Sequence, residues 1–336
     1  MINFLMSLMQ NDTISITEES FAGLAAEWTN PNRLNWNSIF VLPAWLQAWW
    51  KEFGSSGKPH LLAVKQGGQI TGIAPLLLKE GTASFLGSAD VCDYLDFIVA
   101  PGREIDVFNT LLDYLTRKGI TQLDLGTVRP DSTVLTALVP LAREKGYVVR
   151  LQPEDVSVEL DLPATWEEYL AMLDTRQRHE LKRKMRGASA EAKLDYRIVS
   201  DRTSVNQAVD TFFKMFTESR HAKAAFLTAP MEAYFRSLVD AMAQIGLARF
   251  GILDLDNVPT AMILYFDYHD CVYLYNSGYD PRYESLSVGL LCKTLGIKAS
   301  IEAGRKKFDF LKGNEPYKYH LGGKEVPLSR CQITIP

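Results

Sequence analysis

Tyr273-Leu274-Tyr275-Asn276-Ser277-Gly278-Tyr279-Asp280-Pro281-Arg282-Tyr283-Glu284-Ser285-Leu286-Ser287-Val288-Gly289-Leu290-Leu291 is the stretch on which the fold turns. Its start predicts a strand over Val272–Tyr275 that ends near Ser277 and Gly278. A helix is expected to begin near Ser285–Ser287, to cover about 285–303 and to stop at Gly304. The first amides of that helix, around Ser287, Val288, Gly289 and Leu290, have no partner within it. Together with the helix dipole they offer a place for an anion. Gly289 costs roughly 1 kcal/mol of helix propensity relative to Ala, and it permits close backbone approach of a phosphate.

Working outward, Lys307–Leu311 reads as the next strand. Upstream, Leu247–Leu253, Val258–Phe266 and Val272–Tyr275 form strand–turn–strand repeats broken at Asp254–Asn257 and His269–Asp270. The first half follows the same logic. Leu61–Lys65 and Gln69–Leu76 flank Gly67-Gly68 as a hairpin, and a strand is expected near Tyr94–Val99. Ile105, Phe108, Leu111, Leu112 and Leu115 fall on one helical face closed by Gly119. A strand at Gln122–Leu125, a helix at 132–145 and a strand at Tyr147–Leu151 complete that half. Leu42, Trp45, Leu46, Trp49 and Trp50 recur at helical spacing and predict a packed helix face over 42–53.

Gln69-Ile70-Thr71-Gly72-Ile73-Ala74 and Asn257-Val258-Pro259-Thr260-Ala261-Met262 occupy matching places and read as a short internal repeat. The fold class expected is therefore α/β with α+β mixed sheets. Two similar halves, 1–155 and 156–336, each hold a splayed mixed sheet flanked by helices. Residues 152–166, with Pro153 and Pro163, read as the linker. Beyond them Arg176-Gln177-Arg178-His179-Glu180-Leu181-Lys182-Arg183-Lys184-Met185-Arg186 predicts a basic helix. Arg178, Lys182 and Arg186 share one stripe of it, and a stripe of like charges is a place to look for an anion.

Bulk properties bound the rest. With 336 residues the chain suits two domains. Hydrophobic residues at 47% and charged residues at 23% are the balance of a globular protein. The net charge of −4 gives no global attraction to nucleic acid, so a polyanion contact needs a local patch. Cys92, Cys271, Cys292 and Cys331 are scattered, without the spacing of a zinc or redox pair, and read as reduced thiols of a cytoplasmic protein. Met1–Met6 is apolar but lacks a basic flank and a cleavage site, so no signal peptide is expected. No apolar run is long enough to span a bilayer; membrane contact would be peripheral.

Gly278-Tyr279-Asp280-Pro281, Ser287-Val288-Gly289-Leu290-Leu291 and Phe308-Asp309-Phe310-Leu311-Lys312-Gly313-Asn314-Glu315-Pro316-Tyr317-Lys318 closely resemble the CelD-like branch of the GNAT acyltransferase superfamily. Trp45–Trp50, Phe85–Ser88 with Asp93–Asp96, and the basic helix match the same branch in order, so the resemblance covers most of the chain. Lys312 stands where that branch has Arg, which keeps the charge and loses the bidentate fork. The proline often found before Gly289 is missing. The branch is similar to the FemAB-type peptidoglycan aminoacyltransferases, which are tandem GNAT folds, in agreement with the internal repeat.

The resemblance implies a site. The pantetheine arm of an acyl-CoA, acetyl-CoA or another, would lie along Tyr275 and Ser277. Its pyrophosphate would sit on Ser287, Val288, Gly289 and Leu290, with Lys312 near. Lys318 would face a phosphate or the charge developing in acyl transfer, and Asp93 would face the acceptor. Asp309 reads either as a buried site acid or as a salt-bridge partner of Lys312. Asp90, Asp93 and Asp96 read as a loop acid and strand-end caps rather than as a metal set, and no metal is expected. His221 and His320 are candidate bases or structural histidines. Tyr279 and Tyr317 could donate to a leaving thiolate. Arg178, Lys182, Arg186, His221 and Tyr279 are the candidate acceptor contacts. The activity implied is acyl-CoA-dependent N- or O-acyl transfer to a sugar, polysaccharide or cell-envelope precursor. The alternatives are transfer from an aminoacyl-tRNA, as in the Fem relatives, and a non-catalytic binding module.

Overall fold

The computed structural model describes residues 14–30, 34–54 and 58–336. Met1–Met6, read above for a signal peptide, lies outside the described residues. The chain divides into two units. The first holds Met1–Asp155 together with Pro327–Pro336, and the second holds Val156–Val326.

In the first unit, β1 (Ile14–Glu18) leads to α1 (Phe21–Thr29), where the Ser20 side chain accepts from the Gly23 amide at 3.0 Å. Next is α2 (Pro43–Phe53), which buries Trp45, Leu46 and Trp49 as the aromatic spacing predicts. The β2 (Pro59–Gln66) and β3 (Gln69–Lys79) hairpin turns at Gly67-Gly68, both at positive φ. β4 (Thr82–Phe85) follows, then β5 (Ile98–Val99), which pairs β3 and is shorter than the strand expected at 94–99. α3 (Glu104–Arg117) buries Val107, Phe108, Leu111, Leu112 and Leu115, leaving Ile105 exposed. β6 (Gln122–Val128), a π-type turn at Val134–Leu138, α4 (Val139–Glu144) and the start of β7 (Val148–Asp161) complete the order.

The second unit begins inside β7. Residues 152–166 are therefore no linker: Asp161, Leu160 and Glu159 pair antiparallel with Lys307, Phe308 and Asp309. Then come α5 (Trp166–Met172), α6 (Thr175–Glu191), β8 (Leu194–Val199), α7 (Arg202–Ser219), α8 (His221–Phe226) and α9 (Ala229–Gln244). β9 (Ala248–Leu255), β10 (Val258–Tyr268) and β11 (Cys271–Tyr279) form a meander. The single helix expected over 285–303 is a 3-10 turn at Pro281–Leu286, a left-handed Ser287, and α10 (Val288–Glu302). β12 (Lys307–Lys312), α11 (Pro316–His320) and β13 (Lys324–Thr334) follow. Residues 327–336, expected with the second domain, belong to the first. β13 pairs antiparallel with β6, Ser329 opposite Val128 and Ile333 opposite Leu123.

Each sheet follows one pattern. The first is ordered β1-β2-β3-β4-β6-β13 and the second β8-β9-β10-β11-β12-β7. In each, the only parallel pair of this order sits fourth and fifth, β4 with β6 and β11 with β12. The repeat read at Gln69 and Asn257 falls at the start of β3 and of β10. Second-unit sheet residues Leu253, Ile263, Leu274 and Phe308 pack with Leu291 and Ile297 of α10 as one apolar core. No helix among the described residues is long and apolar enough to cross a membrane.

Candidate active site

β11 and β12 pair only at Cys271–Lys307, Val272–Phe308 and Tyr273–Asp309, and then part. Both strands are bent away from regular pairing. In β11, Leu264 of β10 faces Asn276 while Tyr265 faces Leu274, so Tyr275 is the extra residue of a bulge. Its ring packs against Phe235 and Phe266, with centroids 5.5 and 5.4 Å away. Tyr275 is thus held by the core side of the sheet. In β12, Leu311 takes a left-handed φ of 64°.

Parting leaves backbone carbonyls without a strand partner, which is costly when they are buried. Lys318 meets that need. Its Nζ donates to the carbonyls of Leu311, Lys312 and Gly313 at 2.9, 2.7 and 3.0 Å, and lies 2.9 Å from a Glu315 carboxylate oxygen. The residue is 2% exposed. This corrects the expectation that Lys318 faces a phosphate, because an ammonium has three donors and the chain engages them. Lys312 contributes its carbonyl to that knot. Asp309, 1% exposed, accepts from Ser157 Oγ at 3.2 Å and the Leu311 amide at 2.7 Å, so it braces the bend of β12.

α10 begins at the other side of the opening. α5, α6 and α7 each carry a side-chain N-cap, from Thr165, Asp174 and Asp201, whereas Ser287 caps nothing with its side chain. Instead its left-handed backbone donates to the Glu284 carbonyl at 2.8 Å and accepts from the Leu290 and Leu291 amides at 3.0 Å each. That turn supplies the amides of Val288 and Gly289 no acceptor. The Val288 side chain is buried. A Cβ on Gly289 would stand 3.0 Å from the Tyr279 ring, so glycine lets that ring lie on the helix start. The Tyr279 hydroxyl donates to Glu284 at 3.3 Å; burial, then the Glu284 charge, pushes its pKa up.

The basic helix reaches the same place. α6 starts in a capping box in which the Gln177 amide donates to Asp174 at 2.7 Å and the Asp174 amide to Gln177 at 3.1 Å. Lys184 Nζ donates to Ser287 Oγ at 2.6 Å. Between α6, Leu290 and His320 lies an open cleft of about 1050 Å³. Its lining takes Arg176, His179, Glu180, Arg183 and Lys184 from α6, with Glu180 2.8 Å from Arg183 and 3.5 Å from Lys184. Arg178, Lys182 and Arg186, the stripe singled out from sequence, are not in it. Arg178 turns back to the Leu170 carbonyl, and Lys182 and Arg186 are exposed. The charge on the helix was legible; the face was displaced because α6 docks through Leu181 and Ala188.

A further group was missed entirely. Gly278 lets α7 pack on β11 at backbone contact: a Cβ there would meet the Phe216 nitrogen at 2.4 Å. The turn after α7 therefore sets Arg220 and Lys223 at the end of β11. Lys223 Nζ donates to the Ser277 carbonyl and lies 4.8 Å over the Phe216 ring. Lys293 of α10, 8% exposed, donates to the Gly289 carbonyl at 3.0 Å and lies 4.8 Å over the Tyr317 ring. Burial, then the Lys293 and Arg220 charges, lower the Lys223 pKa to about 7 against the opposing pull of Glu315. Burial likewise lowers Lys293 to about 8. Tyr317 is pushed up by burial and then by Glu315, so it stays a protonated phenol. The signal in the sequence was Lys293 itself, a cation between Cys292 and Thr294 inside an apolar helix. His221 is exposed on α8, and His320 lines the cleft. Asp93 lies half-buried in the first unit; the acid built into that loop is Asp96, which accepts from Asn37, Thr133 and Phe97. Among the described residues no group of acids, histidines and cysteines is placed to hold a metal.

Residues 175–319, which contain α6, the parted strands, α10 and the Lys318 knot, match the family model described as an acetyltransferase (GNAT) domain. The structure of FemX superimposes at a TM-score of 0.61 with 12% identity, covering 94% of this chain and 96% of that one. Residues 175–319 thus match a GNAT acetyltransferase domain, and the chain as a whole shares its fold with FemX. The C-terminal domain of a putative lysylphosphatidylglycerol synthetase from Agrobacterium fabrum superimposes at a TM-score of 0.55 and 11% identity, over 86% of this chain and 90% of that one. L-PGS from Bacillus licheniformis does so at 0.53 and 10%, over 85% and 90%. No curated protein matches the sequence. Within residues 175–319 lie the parted strands, the helix start without a side-chain cap and the Lys184 contact to it.

Proposed function

We propose that the second unit transfers an acyl group from acetyl-CoA or another acyl-CoA to an amino or hydroxyl group of a sugar, polysaccharide or cell-envelope precursor. The observation that carries this reading is the start of α10, which has no side-chain cap and receives Lys184 from α6, in a domain whose β11 and β12 part. The Val288 and Gly289 amides, Lys184 and Arg183 can receive a diphosphate. The gap between the strands offers backbone groups to a pantetheine arm, and Tyr317 is a protonated phenol beside it for a leaving thiolate. Calorimetry tests the reading directly. CoA should bind the native chain, and Lys184→Glu should weaken binding at least tenfold with melting unchanged. Failure of CoA to bind the native chain would remove it.

A second reading is supported by α6. A basic helix on the wall of an open cleft also suits the phosphates of an aminoacyl-tRNA, the donor implied by the FemAB resemblance. The two separate by salt: binding of tRNA should fall steeply between 50 and 200 mM salt, by powers of ten for about 6–10 phosphate contacts. A single diphosphate gives a shallow slope.

A further inference from the structure

We propose that Lys223 accepts the proton that the acceptor nitrogen or oxygen loses when it is acylated. The inference rests on the acyl-transfer reading and adds to it the group that drives the nucleophile. Ser277, whose carbonyl holds Lys223 Nζ, lies four positions beyond Tyr273, the last β11 residue paired with β12. Lys223 therefore stands where the strands have opened. Among the described residues no carboxylate forms an ion pair with it, and none forms one with Lys293.

The surroundings of Lys223 come from five elements. α7 contributes the Phe216 ring, and the turn after it the Arg220 guanidinium. β11 contributes a carbonyl, and α10 contributes the Lys293 ammonium. The segment before α11 contributes Glu315, which is engaged by Lys318 at 2.9 Å. Partial burial and two cations stand against one carboxylate already in use, the Phe216 face and the Ser277 carbonyl. Such a setting favours the uncharged amine, and the lowering to about 7 agrees with it. A base is most useful when its pKa lies near the working pH.

The other ionisable groups at the opening are less suited. Glu315 is held below the usual carboxylate range because the Lys318 ammonium outweighs its burial. Asp309 is enclosed by the bend of β12, Tyr279 and Tyr317 are shifted toward the protonated form, and His221 is exposed to solvent. In the step, the acceptor nitrogen or oxygen bonds to the acyl carbon and the carbon–sulfur bond breaks. Its electron pair leaves on sulfur, and the acceptor's proton passes to Lys223 Nζ, forming an ammonium. Lys293 and Arg220 then favour release of that proton to the thiolate or to solvent.

Trace labelling of the full chain with acetic anhydride, read lysine by lysine by mass spectrometry from about pH 5.5 to 11, tests the proposal without knowledge of the acceptor. Lys223 should become reactive with a midpoint near 7, more than two pH units below exposed Lys182. Lys293→Met should move that midpoint upward. Saturating CoA should slow labelling of Lys223 at least fivefold and leave Lys182 unchanged. A Lys223 that titrates with Lys182, or one labelled equally fast while calorimetry shows CoA bound, would overturn the assignment. Absence of CoA binding would instead strike the acyl-CoA reading beneath it.

Discussion

β4 and β6 in the first unit stay paired from Thr82–Gln122 to Ser84–Asp124, three residues in all, as do β11 and β12 in the second. The helices that follow begin with opposite charge. α3 carries Glu104 and Asp106 in its first turn, where Glu104 accepts from the Gly102 amide at 3.1 Å and Asp106 lies 3.7 Å from Arg103. α10 carries no acid in its first turn and receives Lys184 from α6. The surface near β4 and β6 differs as well. A cleft of about 560 Å³ there includes Asp124, paired with Arg330 at 2.5 and 2.7 Å, and Glu154, which takes the Thr127 amide at 2.6 Å. In the second unit, Lys223 and Lys293 lean on carbonyls rather than carboxylates. The repeated sheet order supplies the gap twice; of the two, the second-unit gap has buried lysines held by carbonyls beside it.

The largest expected effect separates the two gaps by what holds them. Lys318→Met strands one buried and two half-buried carbonyls and Glu315, and should destabilise the second unit by about 3–5 kcal/mol in urea unfolding. Arg330→Met breaks an exposed pair in the first and should cost under about 1 kcal/mol. Equal losses would mean that the knot at β12 is not what keeps the opening apart.

Next in size is a difference in pH response. Lys223 and Lys293 have folded pKa values of about 7 and about 8, below their ordinary value. The unfolded chain therefore binds more protons than the folded one above pH 7, and stability of the second unit rises with pH from there. Asp96 in the first unit is the reverse: burial raises its carboxyl, so its contribution is present at low pH and lost as pH rises through the folded value. Denaturation followed from about pH 7 to 9.5 should show a gain on the order of 1–3 kcal/mol that Lys223→Met and Lys293→Met reduce. A native profile flat in that window would contradict the buried-cation account.

Charge transplants are smaller. Leu290→Glu gives α10 the acidic first turn of α3 and should weaken CoA about tenfold, near 1.4 kcal/mol. The smallest change is the reverse one. Glu104→Gln with Asp106→Asn should shift stability by only a few tenths of a kcal/mol and confer no CoA binding on α3. Gain of a second CoA site by that double variant would show that the first unit lacks only its charge.

Much of this was readable in the residues because the signals were local. The hairpin at Gly67-Gly68, the apolar face of α3 and the strand order around Asn257 depend on spacing alone. The split at Ser287 did not announce itself: a left-handed serine has no marker in composition, and the run from Ser285 scans as one helix. Residues 201–244 drew no assignment from sequence, although α7 and α9 bury Phe212, Phe216, Phe235 and Leu238. Lys223 and Lys293 were passed over because each is a lone lysine in a helix, and their meeting depends on Gly278 bringing α7 onto β11. Lys318 was noticed through its motif, but which way a lysine turns is decided by unpaired carbonyls that only the bent strand reveals.

β13 carries a consequence for how the molecule is made. The sheet of the first unit lacks the second neighbour of β6 until residues 327–336 exist, although β1 to β6 are all encoded before residue 129. During synthesis the earlier half must wait with an open strand edge while the later half is translated, and such edges recruit neighbours. The portion born first is the portion finished last.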